Sequence, residues 1–335
     1  MKISVVGYGN IGKIHARIEK KLGYLSNIVE IDDQKRKNAL ERFNVPIYQD
    51  IENMIKNESP DGIIIAVPTV NHFSAVKEII ELKNPSLRAI LIEKPIASSL
   101  DEAYKLQRLL NESKLKVLVG HSELYNPVIQ KLLETLSSQV IGIPKIFFFQ
   151  RRNNVSNEQL NSLGDVFEDV AIHDFDLFCR IIPDNLLQIQ CVGFYYENII
   201  NSAVVQIKAT QSNILALFLF SREYPGKLRQ IEIEGTKGTI FVELLDQYLM
   251  YNLRSQIDLQ ESLQSVSISS GEGQKIKVYG EPLLEEHLEF HSLIKGKKLE
   301  PLVKIEDAIK ALKLVETCRK SVAFSKSVKI NTENL

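Results

Sequence analysis

Cysteine is scarce in this chain of 335 residues: there are three, Cys179, Cys191 and Cys318. None stands in a C-x-x-C or other paired spacing, which leaves no disulfide framework and no cysteine-rich metal module. They read as small core residues in a reducing compartment. Charge of one sign is lacking as well. Lys plus Arg total 41 against 42 for Asp plus Glu, a net charge of −1, so no broad basic surface points to nucleic acid. No apolar run approaches the roughly 18 residues of a membrane helix. The first residues lead straight into a core strand, which argues against a signal peptide. No internal repeat or low-complexity domain is visible. The expectation from these absences is a soluble cytoplasmic protein with no nucleic-acid or membrane partner. The 44% hydrophobic content and the length suit about two domains with substantial cores.

The chain is organised around its first strand, turn and helix. Lys2 to Val6 form a short buried strand, followed by Gly7-Tyr8-Gly9-Asn10-Ile11-Gly12 on a G-x-G-x-x-G spacing, and Ile11, Ile14, His15, Ile18 and Leu22 continue at helical intervals. Gly7 permits the tight turn, Gly9 lets a pyrophosphate reach the backbone, and Gly12 lets the helix sit close to the sheet. The helix N-terminus supplies N–H groups and partial positive charge. A second apolar run, Asn27 to Ile31, ends at Asp32, twenty positions after Gly12, where a carboxylate accepts ribose hydroxyls. Strand, glycine turn, helix, strand and acid together predict a dinucleotide site. The acid favours NAD over NADP, although Lys35 and Arg36 follow closely.

Strands and helices alternate through the first third. The continuous runs Gly62–Val67 and Ala89–Ile92 suit parallel strands covered on both faces, and Lys116–Val119 adds another. A parallel, doubly wound sheet is expected over residues 1–121. From Pro144 onward strands dominate: 145–152, 187–196, 203–209, 214–220 and 229–234, with Gly235-Thr236-Lys237-Gly238 as a hairpin turn into 239–244. Further edges are expected at 248–253 and 276–279. Residues 122–335 thus predict an α+β domain with a large, mostly antiparallel open sheet. One helix interrupts it from about Asp169 to Ile182. Helices at 283–294 and 305–322 close the chain and are free to pack back on the first domain. The Ser- and Gln-rich stretch 255–273 reads as a mobile or variable insertion.

Ligands of doubly wound sheets bind at the carboxyl ends of the strands. Three segments leave strands there: Pro68-Thr69, Glu93-Lys94-Pro95 and Gly120-His121. A lysine directly after a buried strand is costly unless it faces a cleft or a partner. Lys94 is therefore a candidate to stabilise a developing alkoxide, the alternative being a solvated loop lysine. In the second half, Asp169 and His173 stand at i and i+4 on one helix. An imidazole titrating near neutrality suits proton exchange with an alcohol, and a carboxylate tunes it. Taken alone, a capping or core histidine is the simpler reading. His287-x-x-x-His291 lacks the H-E-x-x-H order and reads as an amphipathic helix face, so no metal is expected. Lys295 to Lys298 read as a solvated helix end. Phe147-Phe148-Phe149 read as sheet core, since no basic surface surrounds them.

In this order, Gly7-x-Gly9-x-x-Gly12, Ala66-Val67-Pro68-Thr69 with His72, Glu93-Lys94-Pro95, Gly120-His121 before Asn126-Pro127, and Asp169-x-x-x-His173 resemble the glucose–fructose oxidoreductase / inositol dehydrogenase / MocA family. The resemblance covers nearly the whole chain. It implies a Rossmann domain followed by a domain whose open sheet makes homodimer or homotetramer contacts. It also implies an NAD-dependent dehydrogenase acting on a secondary hydroxyl, with Lys94 catalytic and positioning the nicotinamide, His173 exchanging the proton and Asp169 as its partner. The Lys94–Pro95 bond is implied to be cis, and Pro68 to His72 to line the cofactor together with Glu93. Gly120 to Pro127 and Arg151-Arg152 look most similar to UDP-N-acetylglucosamine 3-dehydrogenase-like members. On that likeness Tyr125, Asn126, Arg151, Arg152, Asp169 and His173 would contact a sugar or nucleotide-sugar substrate, the arginines facing a diphosphate or carboxylate. A β-strand arginine is otherwise a solvated surface residue. The chain departs from those members at Leu124, where they carry arginine, and at Asn153-Asn154-Val155, where a glycine–proline pair is usual. Inositol or other polyol dehydrogenases and an NAD(H)-binding sensor without turnover are the alternatives.

Overall fold

The computed structural model describes residues 1–156, 160, 163–254, 256–259, 266–269 and 273–332. The chain divides into two compact units, Met1–Ser122 with Pro282–Leu312, and Glu123–Glu281 with Lys313–Leu335.

The first unit holds six parallel strands, β1 (Ile3–Val6), β2 (Leu25–Val29), β3 (Ile47–Tyr48), β4 (Gly62–Ile65), β5 (Ala89–Glu93) and β6 (Lys116–Gly120), in the order β3-β2-β1-β4-β5-β6. Helices α1 (Asn10–Leu22), α2 (Asp33–Phe43), α3 (Ile51–Asn57), α4 (His72–Glu81) and α5 (Leu100–Glu112) connect them. β1, β4 and β5 are buried throughout, as strands of a sheet covered on both faces must be. Strand order reverses between β1 and β4, both of which run parallel to each other with Val6 opposite Ile65. A ligand crevice forms where the order reverses. A further helix of this unit, Pro282–Ile294, packs on β5 and β6. Gly62 leaves room for its Phe290 and Ile294, which a Cβ would meet at 3.0 and 2.5 Å.

The second unit is built on nine strands. They are β7 (Pro144–Asn154), β8 (Leu186–Tyr196), β9 (Ile199–Ala209), β10 (Ile214–Ser221), β11 (Glu223–Gly235), β12 (Gly238–Glu243), β13 (Tyr248–Leu253), β16 (Gly273–Lys277) and β17 (Val328–Asn331), ordered β16-β13-β12-β11-β7-β10-β9-β8-β17. Only β7 and β10 run parallel; all other neighbours are antiparallel. Strands β14 (Gln256–Leu259) and β15 (Val266–Ser269) pair with each other. The insertion expected at 255–273 otherwise lies outside the described residues. Helix α6 (Pro127–Ser137) precedes the sheet.

Alternation along β7 and β10 decides which face is core. Phe147, Phe149, Phe218 and Phe220 are buried, with Phe149 stacked on Phe218 at 4.7 Å. Phe175 of helix Ile172–Ile181 meets Phe218 and Phe220 edge-on at 5.4 and 5.6 Å. Such T-shaped pairs add to burial alone. The opposite face presents Phe148, Val204, Leu217 and Leu219 with Glu232 and Glu234, and Val192 and Phe194 stand exposed on it. The edge strand β17 gave no signal in the sequence. It pairs Val328 with Ile189 and Ile330 with Leu187.

Candidate active site

The glycine turn joins β1 to α1 at the carboxyl end of the sheet. Gly7 has φ +96°, and a Cβ there would stand 2.6 Å from the Ala66 carbonyl oxygen. A Cβ at Gly12 would strike the Gly7 carbonyl, whereas one at Gly9 would meet nothing within 4 Å. Gly7 and Gly12 thus serve the close turn and the helix–strand contact. Gly9 leaves backbone open at the α1 N-terminus, where no side chain caps the helix. That cradle fits a pyrophosphate. Asn10 is exposed and Ile11 half-buried, while Tyr8 is buried, its ring edge-on to Phe43 at 5.9 Å. Tyr8 therefore presents backbone rather than its ring.

Asp32 ends the second strand segment as expected. It is exposed and caps α2, accepting the Lys35 N–H at 2.8 Å. A residue absent from the sequence-based candidates braces the loop beneath it. Glu30 is buried and accepts the N–H of Tyr8 at 2.8 Å and that of Asp32 at 3.0 Å. Arg36 donates to the carbonyls of Glu30 and Ile31 at 2.9 and 2.7 Å and pairs with Asp33.

After β4, Ala66 is buried, Val67 and Thr69 are half-buried and Pro68 is exposed. His72, expected to line the cofactor, is buried, with its ring nitrogens 3.0 Å from the Val67 carbonyl and 3.4 Å from that of Ile96. Burial pushes its imidazole below the ordinary range. It ties the loop after β4 to the segment after β5, a structural task.

β5 delivers Glu93 buried and Lys94 half-buried, and the Lys94–Pro95 bond is cis. Glu93 accepts the Lys94 backbone N–H at 3.1 Å through one oxygen and lies 2.7 Å from His15 Nε2 through the other. Burial works to raise this carboxyl, but the His15 bond and the Lys94 charge hold it below the ordinary range. The space it occupies exists because Gly120 has no side chain; a Cβ there would stand 3.1 Å from the Glu93 carboxyl.

His287 and His291, expected on one face of an amphipathic helix, are buried with Glu286. Their helix turns this face inward toward α1, where Glu19 lies 2.6 Å from His287 and 2.9 Å from His291.

In the second unit, Asp169 lies in a π-type turn, Phe167–Ala171, and His173 in the first turn of the α-helix Ile172–Ile181. The regular helix expected from Asp169 begins only at Ile172. The Ile172 N–H reaches back to the Phe167 carbonyl, one residue further than in an α-helix. Such widened turns recur at functional sites. Both side chains are half-buried. Behind Asp169 stands Arg222, fully buried, with Nη1 3.9 Å from the carboxylate. Arg222 also donates to the Gly164 carbonyl at 2.9 Å and to Asn201 at 3.0 Å. Its burial favours the neutral base, and Asp169 and Asp165 oppose that.

Two residues expected at the substrate are engaged by the fold. Arg151 is not the solvated strand arginine of the alternative reading. It is 4% exposed, donates to Asp174 at 2.7 and 3.0 Å and to Glu123 at 2.7 Å, and Arg229 closes on the same Glu123 at 2.5 Å. Burial works to raise Glu123, but the two guanidiniums hold it low. For Asp174, burial outweighs Arg151 and raises it. Asn126 is likewise consumed by the fold: it caps α6, accepting the Val128 N–H at 3.2 Å, and donates to the Leu244 carbonyl at 3.1 Å. Tyr125 and Leu124 are buried beside it. Arg152 is half-buried, its guanidinium 4.5 Å above the Tyr224 ring.

A parallel sheet of this order, a glycine turn open at Gly9 and an acid after the second strand define the class: a dinucleotide-binding Rossmann domain. Residues 1–121 match the model of the Gfo/Idh/MocA family, "Oxidoreductase family, NAD-binding Rossmann fold". The chain is an oxidoreductase. It is 23% identical to the myo-inositol 2-dehydrogenase of Thermotoga maritima, over 98% of each chain. It resembles the solved UDP-N-acetylglucosamine 3-dehydrogenase of Acidithiobacillus ferrooxidans with TM-score 0.80 at 20% identity, over 97% of this chain and 99% of that one. Myo-inositol 2-dehydrogenase of Lactobacillus plantarum matches with TM-score 0.80 at 20% identity, over 99% of each chain. The two structural likenesses are likenesses of fold. Among the described residues, no helix is long and apolar enough to cross a membrane.

Proposed function

We propose that the chain is an NAD-dependent dehydrogenase that oxidises a secondary ring hydroxyl of a sugar or polyol, or reduces the corresponding ketone. The observation that carries this is the half-buried Lys94 at the carboxyl end of β5, in a sheet whose glycine turn fits a pyrophosphate. An ammonium at that edge donates to the substrate oxygen and stabilises the charge that develops on it. When bound, the nicotinamide supplies the hydride acceptor. His173 takes the hydroxyl proton, and Asp169, backed by the buried Arg222, orients it and favours the protonated imidazole. Asp32 at the end of the β2 segment and the engagement of Arg36 by the Glu30 and Ile31 carbonyls support NAD rather than NADP.

Between substrates, two observations favour the polyol reading over a nucleotide sugar. Arg151, one of the two arginines expected at a diphosphate, is enclosed by Glu123 and Asp174, and the Thermotoga relative that aligns over 98% of both chains is named an inositol dehydrogenase. A nucleotide sugar remains the second reading, with Arg152 as its anion contact. The apolar sheet face of Phe148, Val204, Leu217 and Leu219 supports a homodimer or homotetramer.

The test is a screen of inositols, free sugars and UDP-sugars by absorbance at the NADH band, with NAD and NADP, for wild type and Lys94→Ala. Turnover should fall by about 10²–10³ or more in the variant while NAD affinity persists. Near-normal turnover in Lys94→Ala removes the role, and NAD binding without turnover of any substrate class supports a sensor protein.

A further inference from the structure

Within the first unit a continuous chain of buried groups runs from the root of Lys94 to α1 and the helix Pro282–Ile294. Glu93 Oε1 lies 2.7 Å from His15 Nε2, His15 Nδ1 lies 2.8 Å from His287 Nε2, and His287 Nδ1 lies 2.6 Å from Glu19 Oε1. His15, His287 and Glu19 are fully buried and Glu93 is 7% exposed. Each of these three contacts has the length of a direct hydrogen bond, so each needs one proton. Two ionised carboxylates bring none. Two neutral imidazoles bring one apiece. The chain is therefore one proton short unless a further one is held. Without it, two lone pairs would face each other at under 3 Å in a dry interior, which is costly.

We propose that His15 and His287 together carry one proton more than two neutral imidazoles, and that this trapped charge positions Lys94 by holding Glu93 as a carboxylate beneath its backbone. The carboxylates are poor carriers of the extra proton because each accepts a second donor. Glu93 Oε2 takes the Lys94 N–H at 3.1 Å, and Glu19 takes His291 at 2.9 and 3.0 Å. Acceptance from several donors favours the ionised form.

The surroundings admit one positive charge. Toward the imidazole pair α1 presents Glu19, the end of β5 presents Glu93 and Lys94, and the helix Pro282–Ile294 presents Glu286 and His291, with Glu289 beyond and paired to Lys298 at 2.7 Å. From α4, His72 faces Glu93; β6 presents Gly120; and the Tyr24 ring stands edge-on to His291 at 4.8 Å. Glu286 is fully buried with no hydrogen-bond partner for either oxygen, and a carboxyl oxygen lies within 4.8 Å of the facing His15 and Glu93 atoms. Burial first, then the charges of Glu93 and Glu289, push its carboxyl well above the ordinary range. The two carboxylates Glu93 and Glu19 against one shared imidazolium leave a single net negative charge, close to balance. His15 and His287 are thus positioning residues, acting on Lys94 through Glu93. The kinetic half of this proposal rests on the reading of Lys94 as catalytic, whereas the proton count does not.

The experiment uses the full chain with ¹⁵N-labelled histidine rings, in EDTA, from pH 6 to 9, with His15→Gln and His287→Gln to assign resonances. At pH 8 one imidazole of the pair, or both in rapid exchange, should show both ring nitrogens protonated. Two neutral imidazoles at pH 8 in the folded chain would overturn the proton count. Ring shifts that appear with stoichiometric Zn²⁺ alone and reverse with EDTA overturn it too, by making the cluster a metal site. Kinetically, folded His287→Gln should lose at least about tenfold in kcat with the KM for NAD unchanged, and the alkaline limb of its pH profile should move. Glu19→Gln, which removes the counter-charge but keeps the shape, should move that limb to lower pH. Unchanged kcat and pH profile in both variants would overturn the positioning role. Absence of turnover in the wild type with a third ring proton present would defeat the dehydrogenase reading instead.

Discussion

Glu30 receives the backbone N–H of Tyr8 at 2.8 Å, across the glycine turn, from the strand next to it. The same carboxylate receives the Asp32 N–H, so one buried side chain braces both the glycine turn and the segment that carries Asp32. Glu30→Ala leaves the Tyr8 N–H buried without an acceptor, a loss of about 1–3 kcal/mol. Calorimetry should show weaker NAD binding, with Glu30→Gln losing less because its amide oxygen still accepts. Equal affinities in wild type and Glu30→Ala would mean that the loop holds its shape without this brace.

Asp32→Ser separates cofactor choice from helix capping. Serine caps as well as aspartate, so the melting temperature should stay within about a degree or two. The ratio of kcat/KM for NADP to that for NAD should rise about tenfold or more once the acid no longer repels a 2′-phosphate. An unchanged ratio would remove Asp32 from cofactor selection.

Arg151→Met tests the buried ion-pair network of the second unit. It leaves Glu123 and Asp174 without their central cation, and breaking one partner of a buried pair costs about 3–5 kcal/mol. Chemical denaturation should report that loss at neutral pH. Recovery is expected at acid pH, where the stranded carboxylates are protonated. A variant as stable as wild type would show that water replaces the guanidinium.

Stability should depend on pH through opposed carboxyl groups. Glu93 and Glu19 are held below the ordinary carboxylate range by their imidazole bonds, despite burial. Their contribution is present above that range and is lost as pH falls from it through the lowered folded values. Glu286 is pushed well above the range, chiefly by burial. The folded chain then binds a proton that the unfolded chain has released, so stability falls as pH rises from the ordinary carboxylate value through the raised one. Glu286→Gln removes that penalty. It should melt a few degrees above wild type at pH 8 and lose the advantage near pH 4. A lower melting temperature at pH 8 would mean that Glu286 contributes as a charge.

The parts legible in the residues were those whose causes are local. Gly7, Gly9 and Gly12 are needed where one turn meets one strand, and the all-apolar runs of β4 and β5 can only be strands covered on both faces. The alternation at 229–234 with its glycine-flanked turn marked the β11–β12 hairpin. Lys94 stood out because an ammonium directly after such a strand demands a reason. Edge strand β17 left no mark, since four residues of short alternation acquire meaning only against Ile189 and Leu187.

By itself, then, the order of residues determined a parallel sheet followed by a mostly antiparallel one, a glycine turn and the candidates Lys94, Asp169 and His173, because period, spacing and strand termini are short-range properties. Tertiary structure decided what polar residues do once buried. It set Arg151 between Glu123 and Asp174, gave His72 to two carbonyls, spent Asn126 on a cap, and brought His287 to His15 across 272 positions of chain. A buried polar group must find a partner wherever the fold places one, and no local pattern records a partner that distant.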